Sequence, residues 1–217
     1  MGQHRYWGEN FRGIVQDVFC GKTGSKMTEF EKMLEGQDFD GGDKGINEIR
    51  DTAAVLLQQL NQTIDSQQRT DILQQLMGSM PSSSIIRSPF SCEFGKTIFI
   101  GENTFLNMNV VMLDGAKISI GNNVLVGPSV QFYCASHSLN FESRRKWETF
   151  CKPIVVEDDV WIGGNVVINQ GVTIGARSVI AANSVVNSDV PPDSLYGGTP
   201  AKLIRRILEN ERGEVRE

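Results

Sequence analysis

The sequence predicts a mainly β chain wound into a parallel β-helix, preceded by an α-helical segment and closed by a short C-terminal helix. Three observations carry this. Aliphatic residues recur every six positions after Pro81, glycine or a small polar residue follows many of them directly, and a helical pattern is confined to the residues before Pro81.

The six-residue rhythm runs through Phe94, Ile100, Leu106 and Met112, slips by two, and resumes at Ile120, Val126 and Phe132. After an interruption it returns at Val156, Ile162, Ile168, Ile174, Ile180 and Val186. Four places after most of these stands a small or β-branched residue, among them Thr104, Val110, Val124, Val130, Val160, Val166, Val172, Ser178 and Ser184. Six is the period of neither an α-helix nor a simple alternating strand. It is the period of a solenoid in which each hexad makes one short strand and one corner. The aliphatic points inward, and a following glycine, as in Ile162-Gly163, lets the chain turn where a Cβ would be costly. A coil buries its inward face only against its neighbours, so many repeats are required, and about a dozen are present.

Ahead of the coils, Ile46, Ile49, Ala53, Leu56, Leu57 and Leu60 are spaced three and four apart, which predicts an amphipathic helix. The polar stretch from Asn61 to Ser66 is expected to connect and cap. A second short helix follows with Ile72, Leu73, Leu76 and Met77, stopped by Gly78 and Pro81. Residues 1–26 have no clear period and are expected to be an upstream extension outside the fold. Within them GKTGS resembles part of a phosphate loop, but Gln16 occupies the first glycine position and the motif is absent. The expected division is therefore 1–26 extension, 27–87 helical segment, 88–199 β-helix with a loop at 134–152, and 200–217 C-terminal helix.

The chain has 217 residues, 40% hydrophobic and 22% charged, which suits a globular domain with an appendage. A net charge of −5 with no long basic run argues against nucleic acid as a partner. No run of eighteen apolar residues and no basic-then-apolar leader occur, so a cytoplasmic protein without a membrane partner is expected. Cys20, Cys92, Cys134 and Cys151 form no C-x-x-C pair and no zinc spacing; they read as small core fillers, and no metal site is expected.

With the repeats in place, residues 27–217 resemble the maltose/galactoside O-acetyltransferase family of hexapeptide-repeat enzymes. The resemblance rests on SPFSCEFGKTIFIGENTFLNMNVVMLD (88–114), IGNNVLVGPSVQF (120–132), ASHSLNFESR (135–144), KPIVVEDDVWIGGNVVINQGVTIGARSVIAANSVV (152–186) and GGTPAKLIRRI (197–207), in that order behind a helical piece. It implies a left-handed β-helix and a homotrimer with active sites in clefts between subunits. It also implies acetyl-CoA as co-substrate, with no permanently bound cofactor, and a sugar as acceptor.

The loop from Cys134 to Lys152 is the one long break in the rhythm, and long insertions in a solenoid usually carry function. It holds His137, the only histidine besides His4. Acetyl transfer from a thioester to a hydroxyl needs a base near neutral pH, and imidazole suits that task. His137 is therefore read as the general base of a direct transfer.

The resemblance implies further roles. Asn107 would bind the acceptor or support the intermediate, while Asn109 reads as a corner residue. Asp40, Arg50, Glu93 and Asp114 fall on the acceptor side, Asp114 with Gly115 as its neighbour. On the acetyl-CoA side, Trp161 would lie beside the arm of the cofactor, Gly164, Ala182 and Asn187 would flank the pantetheine, and Lys202 and Arg205 would meet the phosphates. Two positions depart from the pattern: Ser138 replaces a proline, and a basic residue is missing near Ser188.

Among other functions of this architecture, a three-histidine carbonic anhydrase is excluded by the histidine count. An antibiotic O-acetyltransferase or a non-catalytic trimeric scaffold are the alternatives to a sugar acetyltransferase.

Overall fold

A computed structural model describes residues 27–35, 39–145 and 149–207. The expected extension at 1–26, and the part of the expected C-terminal helix at 208–217, lie outside the described residues.

The described residues open with three helices, α1 (Glu29–Leu34), α2 (Lys44–Gln62) and α3 (Ser66–Leu76). Each starts on a side-chain cap that satisfies an otherwise unpaired N–H of its first turn. Thr28 forms a reciprocal capping box with Glu31, Asp43 accepts from the amide of Ile46, and Asp65 accepts from that of Gln68. Ile46, Ala53 and Leu60 form the buried stripe of α2, which with Ile72, Leu73 and Leu76 of α3 closes the open end of the coils.

Eighteen strands follow among the described residues, and most build a parallel β-helix with three faces. The first face stacks β3 (Ile98–Ile100), β6 (Ile118–Ile120), β11 (Ile154–Val156) and β14 (Thr173–Ile174). The second stacks β1 (Ile85–Ile86), β4 (Phe105–Leu106), β7 (Leu125–Val126), β12 (Trp161–Ile162), β15 (Val179–Ile180) and β17 (Ser194–Gly197). The third stacks β2 (Phe90–Cys92), β5 (Val110–Leu113), β8 (Gln131–Tyr133), β13 (Val167–Asn169) and β16 (Val185–Val186). The interrupting loop carries β9 (Ala135–His137), a short helix α4 (Phe141–Arg145) and β10 (Thr149–Cys151).

The hexad aliphatics are the core. Leu106, Met112, Phe132, Ile162, Ile168, Ile174 and Ile180 are all completely buried, and each such side chain contributes roughly 1.5–3 kcal/mol of burial. Phe94 is the exception to the expected ladder. It is Cys92 that stands in register with Met112, while Phe94 packs with Phe30, Met33 and Ile46 under the helical cap.

The reason is coil length. Ile86 pairs with Leu106 and Leu106 with Val126, so the early coils take twenty residues. Ile162 pairs with Ile180, so a later coil takes eighteen. The two extra residues sit at the third corner, between the third face and the first face of the next coil. They lie in 93–97 in one coil and 113–117 in the next, and the loop at 134–152 leaves the helix at the same corner one coil further on.

The other two corners are regular. Asn103, Asn123, Asp159, Arg177 and Asp193 form a column with positive φ at the first corner, and Asn109, Ser129, Asn165 and Asn183 form another at the second. Asn and Asp tolerate this left-handed backbone better than most residues, and Asn109 is a corner residue as its position suggested.

The C-terminal end differs from expectation. Residues 202–206 form a strand, β18 (Lys202–Arg206), and not the start of a helix. It runs antiparallel to β17, whose outer edge would otherwise present unpaired N–H and C=O groups.

Candidate active site

The irregular third corner gathers much of the expected chemistry. Its foundation is Asp114, which has no exposed surface. Its Oδ1 accepts from the amides of Glu93 at 2.7 Å and Phe94 at 3.0 Å, and its Oδ2 from the amide of Gly95 at 2.7 Å and the Thr97 hydroxyl at 2.6 Å. A corner lengthened by two residues turns these backbone donors inward, where they need acceptors. The expectation that Asp114 meets the acceptor is therefore corrected: both oxygens are engaged inside the chain, and the residue holds Glu93 in place.

Glu93 itself is partly exposed and faces α2. Its Oε1 accepts from Nη2 of Arg50 at 3.1 Å and from Nε at 3.2 Å. Arg50 also donates from Nη1 to Oδ1 of Asn47 at 2.7 Å, and its guanidinium lies 5.1 Å from the centre of the Phe94 ring. The pair is thus held from three sides and still reaches solvent, with side chains 39% and 30% exposed. Asp40 is exposed and engaged in a turn ahead of α2, where its Oδ1 accepts from the Gly42 amide and its own amide donates to Glu29.

His137 ends β9, which pairs with β10 as an antiparallel hairpin: His137 opposite Thr149, Ala135 opposite Cys151. The imidazole is exposed, with Nδ1 3.3 Å from the Thr149 hydroxyl. At the hairpin base Cys151 is half-buried, and its Sγ lies 2.8 Å from where a Cβ on Gly115 would stand. Burial, reinforced by the Glu93 charge, pushes the Cys151 thiol up to about 11. Burial pushes Cys134 up to about 12, and Cys92 still higher, with Asp114 and Glu93 adding to the effect. These are protonated thiols at neutral pH, poor nucleophiles, in keeping with their reading as core fillers. One corner thus carries Arg50, Glu93, the Gly115–Cys151 contact and the hairpin bearing His137.

The remaining expected residues fall in two other places, apart from Asn187, which is exposed at the third corner of a later coil. Asn107, Gly164 and Ala182 lie at the second corner. The amide of Asn107 donates to Val126 O, and Asn107 Oδ1 accepts from the amide of Met108. A Cβ on Gly163 would come within 2.6 Å of the Ala182 backbone nitrogen, whereas one on Gly164 would meet only Pro128 at 3.4 Å. Coil packing therefore demands Gly163 and leaves Gly164 open.

Trp161 lies on the second face, 55% exposed. The register runs Trp161, Val179, Leu195, Arg205, which puts Trp161 and Arg205 in one outward row, about 14 Å apart at the usual strand spacing. Lys202 pairs with Gly197 on the same edge strand. Within one chain, then, Asn107 and His137 stand on opposite edges of the third face and are not brought together.

The sequence did not point to Thr149, nor to the contact between Gly115 and Cys151. Thr149 and Cys151 are placed by the antiparallel pairing inside the loop, which no repeat announces. Among the described residues no group of three His, Cys, Asp or Glu side chains is placed to hold a metal ion, and no helix is long and apolar enough to cross a membrane.

Comparison with known proteins fits this layout. Residues 32–81 match the maltose acetyltransferase hexapeptide capping motif, and residues 153–188 match the bacterial transferase hexapeptide (six repeats). A hexapeptide-repeat-containing acetyltransferase from Vibrio cholerae, solved in complex with acetyl coenzyme A, is 61% identical with a TM-score of 0.83, over 84% of this chain and 100% of that one. A maltose O-acetyltransferase from Clostridium difficile is 38% identical with a TM-score of 0.81, over 85% of this chain and 100% of that one. The galactoside O-acetyltransferase of Escherichia coli is 32% identical over 188 residues, 86% of this chain and 93% of that protein. Helical cap and coils alike are shared across nearly the full length of these relatives, and the chain belongs to the maltose/galactoside O-acetyltransferase family of hexapeptide-repeat acyltransferases.

Proposed function

We propose that this protein transfers the acetyl group of acetyl-CoA to a hydroxyl of a sugar, with His137 as general base. The observation that carries the reading is the third corner. There the hairpin bearing His137 rises from the same place as the Arg50–Glu93 pair, so a base and a hydroxyl-binding pair share one surface. A carboxylate accepts from sugar hydroxyls and a guanidinium donates to them.

The exposed imidazole of His137, with Nδ1 3.3 Å from the Thr149 hydroxyl, is the group that meets the acceptor. It takes the hydroxyl proton as the oxygen attacks the thioester carbonyl. The C–S bond breaks when the tetrahedral intermediate collapses, and the proton passes from His137 to the departing thiolate, giving the acetyl ester and free CoA. No acyl-enzyme is needed, because the three described cysteines are buried or half-buried and protonated.

On the donor side, the outward row of Trp161 and Arg205, with Lys202 nearby, supplies an apolar surface followed by cations, which suits a pantetheine arm ending in phosphates. The open backbone at Gly164 allows close approach. Asn107 lies across the third face from His137, so it joins the same site only if a second copy brings its own second corner alongside. This favours the homotrimer with clefts between copies. An apolar outward row of Ile85, Phe105, Leu125, Trp161, Val179 and Leu195 on the second face supports such self-association.

The test is thiol release from acetyl-CoA with maltose, glucose, methyl galactoside and a set of antibiotics, for the native protein and His137→Ala. Sugar-dependent release that falls about 10²–10⁴-fold in the variant is expected. Near-normal turnover by His137→Ala removes the base assignment, release with antibiotics alone redirects the acceptor, and no acceptor-dependent release indicates a scaffold.

A further inference from the structure

We propose that Cys151, packed over Gly115, is a specificity-determining residue of the acceptor site, forming the floor against which the C–H face of a pyranose rests between Glu93 and His137. The inference rests on the acetyltransfer reading above and adds to it the element that shapes the acceptor pocket.

Gly115 is buried, and a Cβ built on it would meet Cys151 Sγ at 2.8 Å and Cys151 Cβ at 3.9 Å, with no other atom within 4 Å. The two residues are thus complementary: the thiol occupies the space that a side chain at 115 would need. The corner already supplies a carboxylate at Glu93 and a guanidinium at Arg50. What it lacks at Gly115 is a third polar group, and what stands there instead is sulfur.

The position of that sulfur is set from both sides. Cys151 pairs with Ala135, two residues along the hairpin from His137, a separation of about 7 Å at the rise of a strand. On its other side the Glu93 charge is close enough to act on the thiol. Cys151 is half-buried and so presents part of its surface to whatever binds there.

A pyranose matches this arrangement. Its hydroxyl rim needs acceptors and donors, which Glu93 and Arg50 provide, and its C–H face needs a soft, uncharged surface, which a protonated thiol provides. The floor then sets which hydroxyl is lifted to the imidazole.

The test compares kcat/KM for maltose, glucose and methyl galactoside in the native protein, Cys151→Ser and Cys151→Ala. The ratio between two of these sugars is expected to change by about tenfold or more, with KM for acetyl-CoA and the melting temperature held. In the native protein at about pH 9, where a small fraction of the Cys151 thiol is ionised and the fold is still stable, a saturating sugar is expected to slow its alkylation by iodoacetamide, followed by peptide mass spectrometry; this arm needs no variant to fold. Unchanged ratios in a folded variant, or unprotected alkylation under saturating sugar, overturn the proposal while leaving acetyl transfer intact. An absence of sugar-dependent thiol release by the native protein overturns both.

Discussion

Asp114 accepts a hydrogen bond from the backbone amide of Glu93 at 2.7 Å, so a fully buried carboxylate fixes where a partly exposed one stands. The two acids divide the work of the corner. One satisfies its backbone, and the other meets Arg50.

Asp114→Ala is expected to cost about 3–5 kcal/mol of stability, because three amides and the Thr97 hydroxyl lose an ionic acceptor inside the chain. Asp114→Asn keeps one acceptor oxygen and is expected to lose less. Urea denaturation of both variants ranks them, and equal losses would show that the oxygen retained in Asp114→Asn contributes nothing.

The Arg50–Glu93 pair should behave differently. With both side chains partly exposed, Arg50→Ala and Glu93→Gln are expected to change stability by no more than about 1 kcal/mol. Each is expected to raise KM for the sugar with KM for acetyl-CoA unmoved. A rise in KM for acetyl-CoA alone would place the pair on the donor side.

Gly163 and Gly164 separate fold from function within one dipeptide. Gly163→Ala drives a Cβ against the Ala182 backbone and is expected to destabilise by about 1–3 kcal/mol. Gly164→Ala leaves only an ordinary contact with Pro128, so its melting temperature should match the native value while KM for acetyl-CoA rises. Native kinetics in Gly164→Ala would remove this position from the donor site.

Alkaline pH tests the buried thiols. Cys134 is pushed up to about 12 and Cys151 to about 11 from an ordinary 9.0. Between these values the unfolded chain has released protons that the folded chain retains, so stability is full below pH 9 and is lost as pH rises through 11 to 12. The urea midpoint is expected to fall between pH 8 and pH 10.5, and to fall less in Cys134→Ala. An equal drop in that variant would assign the loss to other groups.

The coils were legible because burial is periodic: Ile162, Ile168, Ile174 and Ile180 all point into the same stack. Phe94 was misplaced because counting by six ran across a corner that holds two extra residues, and only the pairing of Cys92 with Met112 reveals this. The slip between Met112 and Ile120 was the visible trace of that corner. Lys202 to Arg206 were expected to begin a helix, but the open edge of β17 determines their conformation.

His137 was legible from its place in the loop. Its partner Thr149, twelve residues away, was not, since nothing local announces a hairpin. Asp114 was expected to meet the acceptor, and sequence does not show which way three consecutive amides point.

Every change in coil length falls at the third corner, while the first and second corners repeat without insertion or deletion. Strand register on all three faces is therefore indifferent to what is spliced in at 93–97, 113–117 or 134–152. The scaffold has no need to refold when these segments, which carry the proposed acceptor site, are lengthened, shortened or exchanged. Transplanting the three segments together from a relative with another acceptor should carry that acceptor's preference with them, whereas moving one alone would strand Asp114, Gly115 or Cys151 without its counterpart.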